Sequence, residues 1–86
     1  MPFTVYIIFS PSLNQYYIGH TADIEDRLFR HRNRGSMSTK KANDWELKYT
    51  DQFETRSAAM QREMELKSKK SRVFLEALIN VAGLRH

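Results

Sequence analysis

The chain opens on a run of apolar residues that alternate loosely between two faces, a pattern typical of a β-strand. Residues 3–10 are rich in Val, Ile, Phe and Tyr, which favour strands. Turn-forming residues follow at 11–14, and a second strand-like run occupies 15–20. This pattern predicts a β-hairpin closed by a four-residue loop.

A loop over 11–14 fixes which residues of the hairpin face each other. Tyr6 is predicted opposite Gly19 and Ile8 opposite Tyr17, so that Tyr6 and Tyr17 share one face. A register slip of one residue would break this arrangement. The other face is predicted to be the core side, with Val5, Ile7, Phe9, Tyr16 and Ile18.

Asp23 is predicted to cap a helix that runs to about Asn33, with Gly35 as its stop. Acidic residues occupy its first turn, where they favour the positive end of the helix dipole. Ile24 and Leu28 are its expected inward residues.

Arg27 and His31 lie four residues apart, hence on one stripe of this helix. They could reach one ligand together. Residues 35–44 lack periodicity and predict a basic loop, followed by a strand at about 45–53 with Trp45 in the core.

Two further helices are predicted near the end of the chain. Thr55 or Ser57 can cap one that runs to about Lys69. Ser71 can cap another that runs to about Val81 and is closed by Gly83. The expected apolar face of this last helix consists of Val73, Phe74, Ala77, Leu78 and Val81.

The element order strand, strand, helix, strand, helix, helix predicts an α+β fold, a small three-stranded antiparallel sheet flanked by helices. The 86 residues suffice for one hydrophobic core, so a single domain over 1–86 is expected. Without cysteine, neither a disulfide framework nor a thiolate metal site can stabilise it. The sequence predicts no membrane span and no signal peptide, and a cytoplasmic location is expected.

The net charge of +4 is unevenly distributed. Between Asp26 and Asp44 there is no acidic residue, and the basic side chains there are Arg27, Arg30, Arg32, Arg34, Lys40 and Lys41. A second cluster comprises Lys67, Lys69, Lys70 and Arg72. A local excess of positive charge favours the binding of a polyanion such as nucleic acid. The alternative is a solvated basic surface without a specific ligand.

Five residues are candidates for chemistry, and each taken alone has an ordinary structural explanation: Tyr6, Tyr17, Arg27, His31 and Glu63. A strand tyrosine is usually a half-buried packing residue with a wet hydroxyl. An Arg-His pair on a helix is usually solvated, and Glu63 can form an exposed i, i+4 ion pair with Lys67.

Taken together and in order, these residues resemble the GIY-YIG nuclease family. Residues 5–8 (Val-Tyr-Ile-Ile) are similar to its first motif, 17–21 (Tyr-Ile-Gly-His-Thr) to its second and 26–31 to its helix. Segments 38–41, 45–47 and 59–67 resemble the small standalone branch of the family, which is similar to the N-terminal nuclease domain of the excinuclease ABC complex of DNA repair. Two departures are Thr4-Val5 in place of Gly-Ile, and His20 where the repair relatives often have Lys.

The resemblance implies a metal-dependent endonuclease of low intrinsic sequence specificity that acts on nucleic acid, with DNA as the expected polymer. Glu63 would ligate one weakly bound Mg²⁺ or Mn²⁺. Tyr6 would deprotonate the attacking water, Tyr17 would orient water or phosphate, and Arg27 would bind the phosphate. His31 would share the phosphate or assist a proton transfer, and Gly19 is expected as a structural turn.

Phosphate contacts without sequence readout are expected from Arg30, Arg32, Arg34, Lys40, Lys41, Lys69 and Lys70. Specificity would then come from nucleic-acid shape, from a homodimer or from a protein partner. One alternative is a non-catalytic nucleic-acid binding module that retains the fold. Another is a protein-interaction domain that docks through Ile79, Val81 and Leu84.

Overall fold

The first two strands form the predicted hairpin in the computed structural model, which describes residues 2–33, 35, 39–69 and 71–82. Strand β1 (Phe3–Ser10) pairs antiparallel with β2 (Gln15–Thr21), with Tyr6 opposite Gly19 and Ile8 opposite Tyr17. The predicted register is confirmed. Asn14 has a φ of 55°, a left-handed conformation that Asn tolerates and that helps to close the loop.

The remaining elements follow in the predicted order: α1 (Ile24–Arg32), β3 (Glu46–Phe53), α2 (Arg56–Lys69) and α3 (Arg72–Ala82). The sheet order is β2-β1-β3, and β3 is antiparallel to β1. Ile7 faces Tyr49 whereas Ile8 faces Leu47, so β3 carries one extra residue there, as in a β-bulge. The expected α+β class and three-stranded sheet are confirmed.

Both faces of the sheet are buried, whereas the sequence predicted one core side. On that predicted side, Val5, Ile7 and Ile18 pack with Leu66 of α2 and Leu75 of α3. The opposite face is closed by α1 and by the segment before β3, in a second cluster that contains Tyr6, Ile8, Ala42 and Trp45, with Ile24 and Leu28 packed against it. The hydrophobic alternation of β1 is loose because this central strand is covered on both faces.

The helix boundaries agree with the predicted caps. Asp23 accepts a hydrogen bond from the backbone N–H of Asp26 at 3.1 Å, and Asn33 is the C-cap of α1. The N–H of Gly35 then donates to the carbonyl of Arg30 at 2.7 Å, which ties the chain to the end of the helix. Thr55, rather than Ser57, caps α2 through its hydroxyl, which accepts from Ala58 at 3.1 Å. Ser71 caps α3 in the same way, accepting from Phe74 at 3.1 Å.

The predicted apolar face of α3 is partly wrong. Val73 and Val81 are 77% and 75% exposed, and Ala77 is also exposed. The residues that pack against the core are Phe74, Leu75, Leu78 and Ile79. This stripe repeats at i, i+1, i+4 and i+5 and is rotated from the predicted one, because Leu75 and Ile79 pack against the core cluster of the sheet. Ile79 of the suggested docking edge therefore packs inward, while Gly83 and Leu84 lie outside the described residues.

No helix in the described part of the chain is long and apolar enough to cross a membrane.

Candidate active site

Gly19 creates the space in which Tyr6 sits. A Cβ atom at position 19 would lie 2.6 Å from the Tyr6 hydroxyl oxygen and 2.8 Å from Cζ of the same ring. Gly19 lies inside β2 and its φ is not positive, so the expectation of a structural turn is wrong. The tyrosine ring lies against the opposing strand, and only a residue without a side chain leaves it room.

Tyr6, His31 and Thr39 form a buried hydrogen-bonded chain. The Tyr6 hydroxyl lies 2.9 Å from Nε2 of His31, and Nδ1 of His31 lies 2.6 Å from the Thr39 hydroxyl. The three side chains are almost fully buried, so the solvated interpretation of His31 and the wet-hydroxyl interpretation of Tyr6 are both wrong. Trp45 fixes the loop by donating from its indole nitrogen to the carbonyl of Thr39 at 3.1 Å.

This environment keeps Tyr6 and His31, the two titratable groups of the hydrogen-bonded chain, uncharged at neutral pH. Burial, reinforced by the positive charge of Arg27, lowers the pKa of His31 to about 4. Burial also raises the pKa of Tyr6 well above its ordinary value, with a further contribution from Tyr17 and a partial offset by Arg27. A neutral imidazole has one donor and one acceptor nitrogen, so His31 can serve both hydroxyls.

Tyr17 lies beside this chain on the same face of the sheet, as predicted. Its ring centroid lies 6.4 Å from that of Tyr6 and 5.2 Å from that of His31. The Tyr17 side chain is only half-buried. Part of the Tyr17 side chain is therefore accessible to solvent.

Arg27 presents a buried donor that no described residue satisfies. Its Nε is buried, and none of the described side chains or backbone groups accepts a hydrogen bond from it. A buried donor without a partner is costly. Arg27 lies one helical turn before His31 on α1, and its charge contributes to the shifted pKa values of both Tyr6 and His31.

Glu63 is held from two sides on α2. One carboxylate oxygen accepts from Nδ1 of His20 at 2.6 Å, and the other accepts from Nζ of Lys67 at 2.7 Å. The Lys67 pair was predicted, but Glu63 is only 17% exposed and is not a freely solvated ion pair. Burial acts to raise the pKa of Glu63, but the hydrogen bonds from Lys67 and His20 outweigh it and lower the pKa below its ordinary value. Burial is the main reason that the pKa of Tyr6 is raised, and the charge of Glu63 adds to it.

Two residues of this arrangement, His20 and Thr39, were not among the sequence candidates. Both lie in segments that carried the resemblance, at 17–21 and 38–41. His20 was noted there as a departure from the Lys that the repair relatives often have, and in the structure it donates to Glu63. The sequence feature that could have identified His20 is its position directly after Gly19 in the second motif.

Residues 2–76 match the family model described as the GIY-YIG catalytic domain. The chain belongs to the GIY-YIG family. The matched range, which has a nuclease-type fold, contains Tyr6, Tyr17, Arg27 and Glu63.

Relatives of this GIY-YIG protein include two UPF0213 proteins. That of Staphylococcus saprophyticus is 40% identical over 53 residues, which is 60% of this chain and 65% of that protein. That of Natronomonas pharaonis is 42% identical over 53 residues, 60% of this chain and 62% of that protein. The matches thus span less than two thirds of each relative. The solution structure of the UPF0213 protein BH0048 from Bacillus halodurans is 30% identical, covers 96% of this chain and 87% of its own, and superposes with a TM-score of 0.61.

The family implies a divalent metal, which requires a suitable set of donor atoms. Within residues 2–33, 35, 39–69 and 71–82, no group of three or more His, Cys, Asp or Glu could hold a metal ion. One partly exposed carboxylate, Glu63, fits a hard cation that keeps most of its water ligands, as Mg²⁺ does. The residues fit a weakly held ion of this kind.

Some of the residues predicted to contact phosphate in this GIY-YIG domain already have partners within the protein. Arg30 pairs with Asp26 at 3.1 Å on the exposed side of α1. Arg32 donates from Nε to the carbonyl of Trp45 at 2.9 Å, so it also helps to fix the loop. Lys40, Lys41 and Lys69 are exposed. Arg34 and Lys70 lie outside the described residues.

Proposed function

We propose that this protein is a metal-dependent endonuclease that hydrolyses phosphodiester bonds in nucleic acid, with DNA as its polymer and with low intrinsic sequence specificity. The observation that supports it most directly is the unsatisfied Nε of Arg27, next to a neutral Tyr6–His31 pair. A phosphate oxygen supplies the acceptor that this donor lacks, and a guanidinium suits phosphate through its fixed planar geometry.

Tyr6 and His31 provide a route for the proton of the attacking water. With the Tyr6 hydroxyl donating to Nε2 of His31, the water proton passes to the Tyr6 oxygen while the Tyr6 proton passes to Nε2. The resulting hydroxide attacks phosphorus as the bond from phosphorus to the leaving nucleotide oxygen breaks, and that oxygen takes a proton from solvent. The imidazolium keeps its Nδ1 hydrogen bond to Thr39. This transfer avoids a buried phenolate, which the raised pKa of Tyr6 disfavours.

Substrate binding would itself make His31 a better base. Arg27 contributes to the low pKa of His31, and a bound phosphate neutralises the charge of Arg27. The proton acceptor then becomes more basic only when the phosphate is in place. The Tyr6–His31 pair would thus accept a proton readily only when the substrate is bound.

Glu63 is the residue that would hold the cation, in the orientation set by His20 and Lys67. A bound Mg²⁺ or Mn²⁺ would offset the charge that develops on the phosphoryl oxygens and would acidify a bound water. Exposed cations, among them Arg30, Lys40, Lys41 and Lys69, would bind the flanking backbone. Such contacts position a nucleic acid without reading its sequence, so a second protomer or a protein partner would supply specificity.

The test compares cleavage of labelled single-stranded, duplex and branched DNA and of RNA, with Mg²⁺ or Mn²⁺. Glu63→Ala should abolish cutting while nucleic-acid binding persists. Glu65→Ala is the matched control, because this exposed carboxylate of the same helix pairs with Arg62. Cleavage should depend on metal in both the wild type and the control. Intact binding without products on any substrate would instead identify a non-catalytic binding module.

A further inference from the structure

A groove of about 430 Å³ opens beside the candidate active site. One wall is formed by β2 and the end of the hairpin loop, including Gln15 and Tyr17, and the other by the junction of α2 and α3, including Lys67 and Ser71. The volume falls in the range of about 300–1,000 Å³ usual for small-ligand sites. Of the catalytic candidates, Tyr17 lines the groove, whereas Tyr6, Arg27, His31 and Glu63 do not, so the groove adjoins the candidate site without coinciding with it.

The groove has the chemistry of a site for a nucleobase attached to an anion. Ile18, Leu66 and Leu75 provide apolar surface, while Gln15 and Ser71 offer hydrogen-bonding groups at its edge. Its lining includes two cations, Lys67, which pairs with Glu63, and Arg72, which pairs with Glu76, and none of the described lining residues is itself a carboxylate. A base has flat apolar faces and a polar edge, and its phosphate is negative, so the apolar surface, the edge groups and the two cations suit it.

Tyr17 and Lys67 belong to the groove and also touch the candidate site. The Tyr17 ring lies 5.2 Å from that of His31, and Lys67 donates to Glu63 at 2.7 Å. A base in the groove therefore lies one side chain away from the groups proposed to handle the scissile phosphate, which is the spacing expected of a neighbouring nucleotide.

We propose that this groove receives the base of an unpaired nucleotide adjacent to the scissile phosphate. This inference rests on the proposed function and narrows its substrate class. A base paired and stacked in a duplex cannot enter the groove without leaving the stack, which costs free energy. Single strands, or the unpaired strand of a branched duplex, are therefore the preferred substrates.

The first test is a ¹H–¹⁵N titration of the wild type with a hexathymidylate strand. Amide shifts at Ile18, Ser71 and Leu75, together with Tyr17, support the proposal. Shifts confined to α1 and the basic loop would overturn it while leaving nucleic-acid binding intact. Absence of any shift or cleavage would remove the proposed function as well. Perturbation of the groove by an extended peptide, but not by the oligonucleotide, would assign the groove to a protein partner instead.

Ser71→Asp provides a variant that should fold normally, because Asp replaces Ser as a helix cap without loss. It adds a negative charge to the groove and should weaken binding of the strand by about tenfold. Val73→Asp is the control, since it adds the same charge to the same helix turn at an exposed position outside the groove. Equal weakening by the two variants would overturn the assignment.

An abasic nucleotide moved along a single-stranded substrate tests the base itself. Removal of the base next to the mapped cut should lower kcat/KM by about tenfold, since stacking on protein contributes that order of affinity per base. Abasic sites several nucleotides away should have little effect. Equal cleavage with and without the adjacent base would exclude the groove as the binding site of that base. The proposed nuclease activity would be unaffected by this result.

Discussion

The hydroxyl oxygen of Tyr6 lies 2.9 Å from Nε2 of His31, and both side chains are closed off from solvent. The pKa of each group is shifted towards its neutral form, Tyr6 upward and His31 downward to about 4. The pair is therefore a neutral donor and acceptor rather than an ion pair. A phenolate base formed before substrate binds is incompatible with this environment, whereas transfer of a proton through the pair is compatible with it.

Tyr6→Phe removes the hydroxyl and preserves the ring. Cleavage should fall by about 100-fold or more, the usual contribution of a proton-transfer group, while oligonucleotide affinity stays within about twofold of wild type. The buried Nε2 of His31 also loses its partner, which should lower the free energy of unfolding by about 1–3 kcal/mol. Cleavage kinetics and urea unfolding measure the two effects.

Tyr49→Phe is the control for that experiment. The Tyr49 hydroxyl also has hydrogen-bond partners, donating to Asp51 at 3.2 Å and accepting from Arg62 at 3.3 Å, but it belongs to the other core cluster. This variant should lose stability and keep its cleavage rate. Wild-type cleavage by Tyr6→Phe would rule out the proposed proton route.

The low pKa of His31 predicts a specific dependence of stability on pH. Between the ordinary histidine value of 6.5 and the folded value of about 4, the unfolded chain binds more protons at this residue than the native one. The free energy of unfolding should therefore decrease as pH falls through this window, by about 1–2 kcal/mol between pH 7 and pH 5. Urea unfolding at both pH values measures it.

His31→Gln isolates this contribution, since glutamine can hydrogen-bond but does not titrate. Its free energy of unfolding should change less between pH 7 and pH 5 than that of wild type. An unchanged pH dependence in the variant would show that His31 is not the residue responsible.

Gly19→Ala tests whether the glycine of the second motif is required for steric reasons. The added methyl would lie 2.6 Å from the Tyr6 hydroxyl, so the ring must move away from His31. Both stability and cleavage should fall, stability by about 1–3 kcal/mol as for other overpacked cores. The nearest atom to a Cβ at Gly35 is the Arg30 carbonyl oxygen at 3.4 Å, so Gly35→Ala should be tolerated. Similar losses of stability and cleavage in Gly19→Ala and Gly35→Ala would indicate that glycine is needed for backbone flexibility rather than for space.

The hairpin register was accessible from sequence because loop length and alternation determine it locally. The turn residues at 11–14 sufficed to place Tyr6 opposite Gly19. The α3 face was not accessible in the same way, because several rotations of that helix bury comparable apolar area. Contacts of Leu75 and Ile79 with the sheet selected one of them.

The polar contacts of the site could be predicted only in part, because they too depend on residues that are distant in the sequence. Sequence motifs identified His31 and Glu63 but not Thr39 and His20, which hold them. Thr39 lies 8 residues from His31, and His20 lies 43 residues from Glu63. Burial of His31 depends on the loop that carries Thr39 and Trp45, and no local pattern encodes that closure.

His20 is expected to orient Glu63 for metal binding. Its Nδ1 donates to one carboxylate oxygen at 2.6 Å, and removing a group that hydrogen-bonds a metal ligand commonly costs about 10–100-fold in metal affinity. His20→Ala should therefore weaken Mn²⁺ binding by about tenfold, measured by the paramagnetic resonance of free Mn²⁺ in the presence of a short oligonucleotide. The folded state should persist, since His20 is partly exposed at the end of β2.

His20→Asn distinguishes orientation from charge. The asparagine amide can place an N–H close to the position of Nδ1 but carries no charge, so recovery of Mn²⁺ affinity in this variant would identify the hydrogen bond as the essential feature. Lys67→Met addresses the other oxygen, where the ammonium lies 2.7 Å away and competes with a cation for the same lone pairs. This variant should bind Mn²⁺ more tightly than wild type if Glu63 is the ligand. Unchanged affinity in both His20→Ala and Lys67→Met would place the metal elsewhere, because neither hydrogen bond to Glu63 would then influence it.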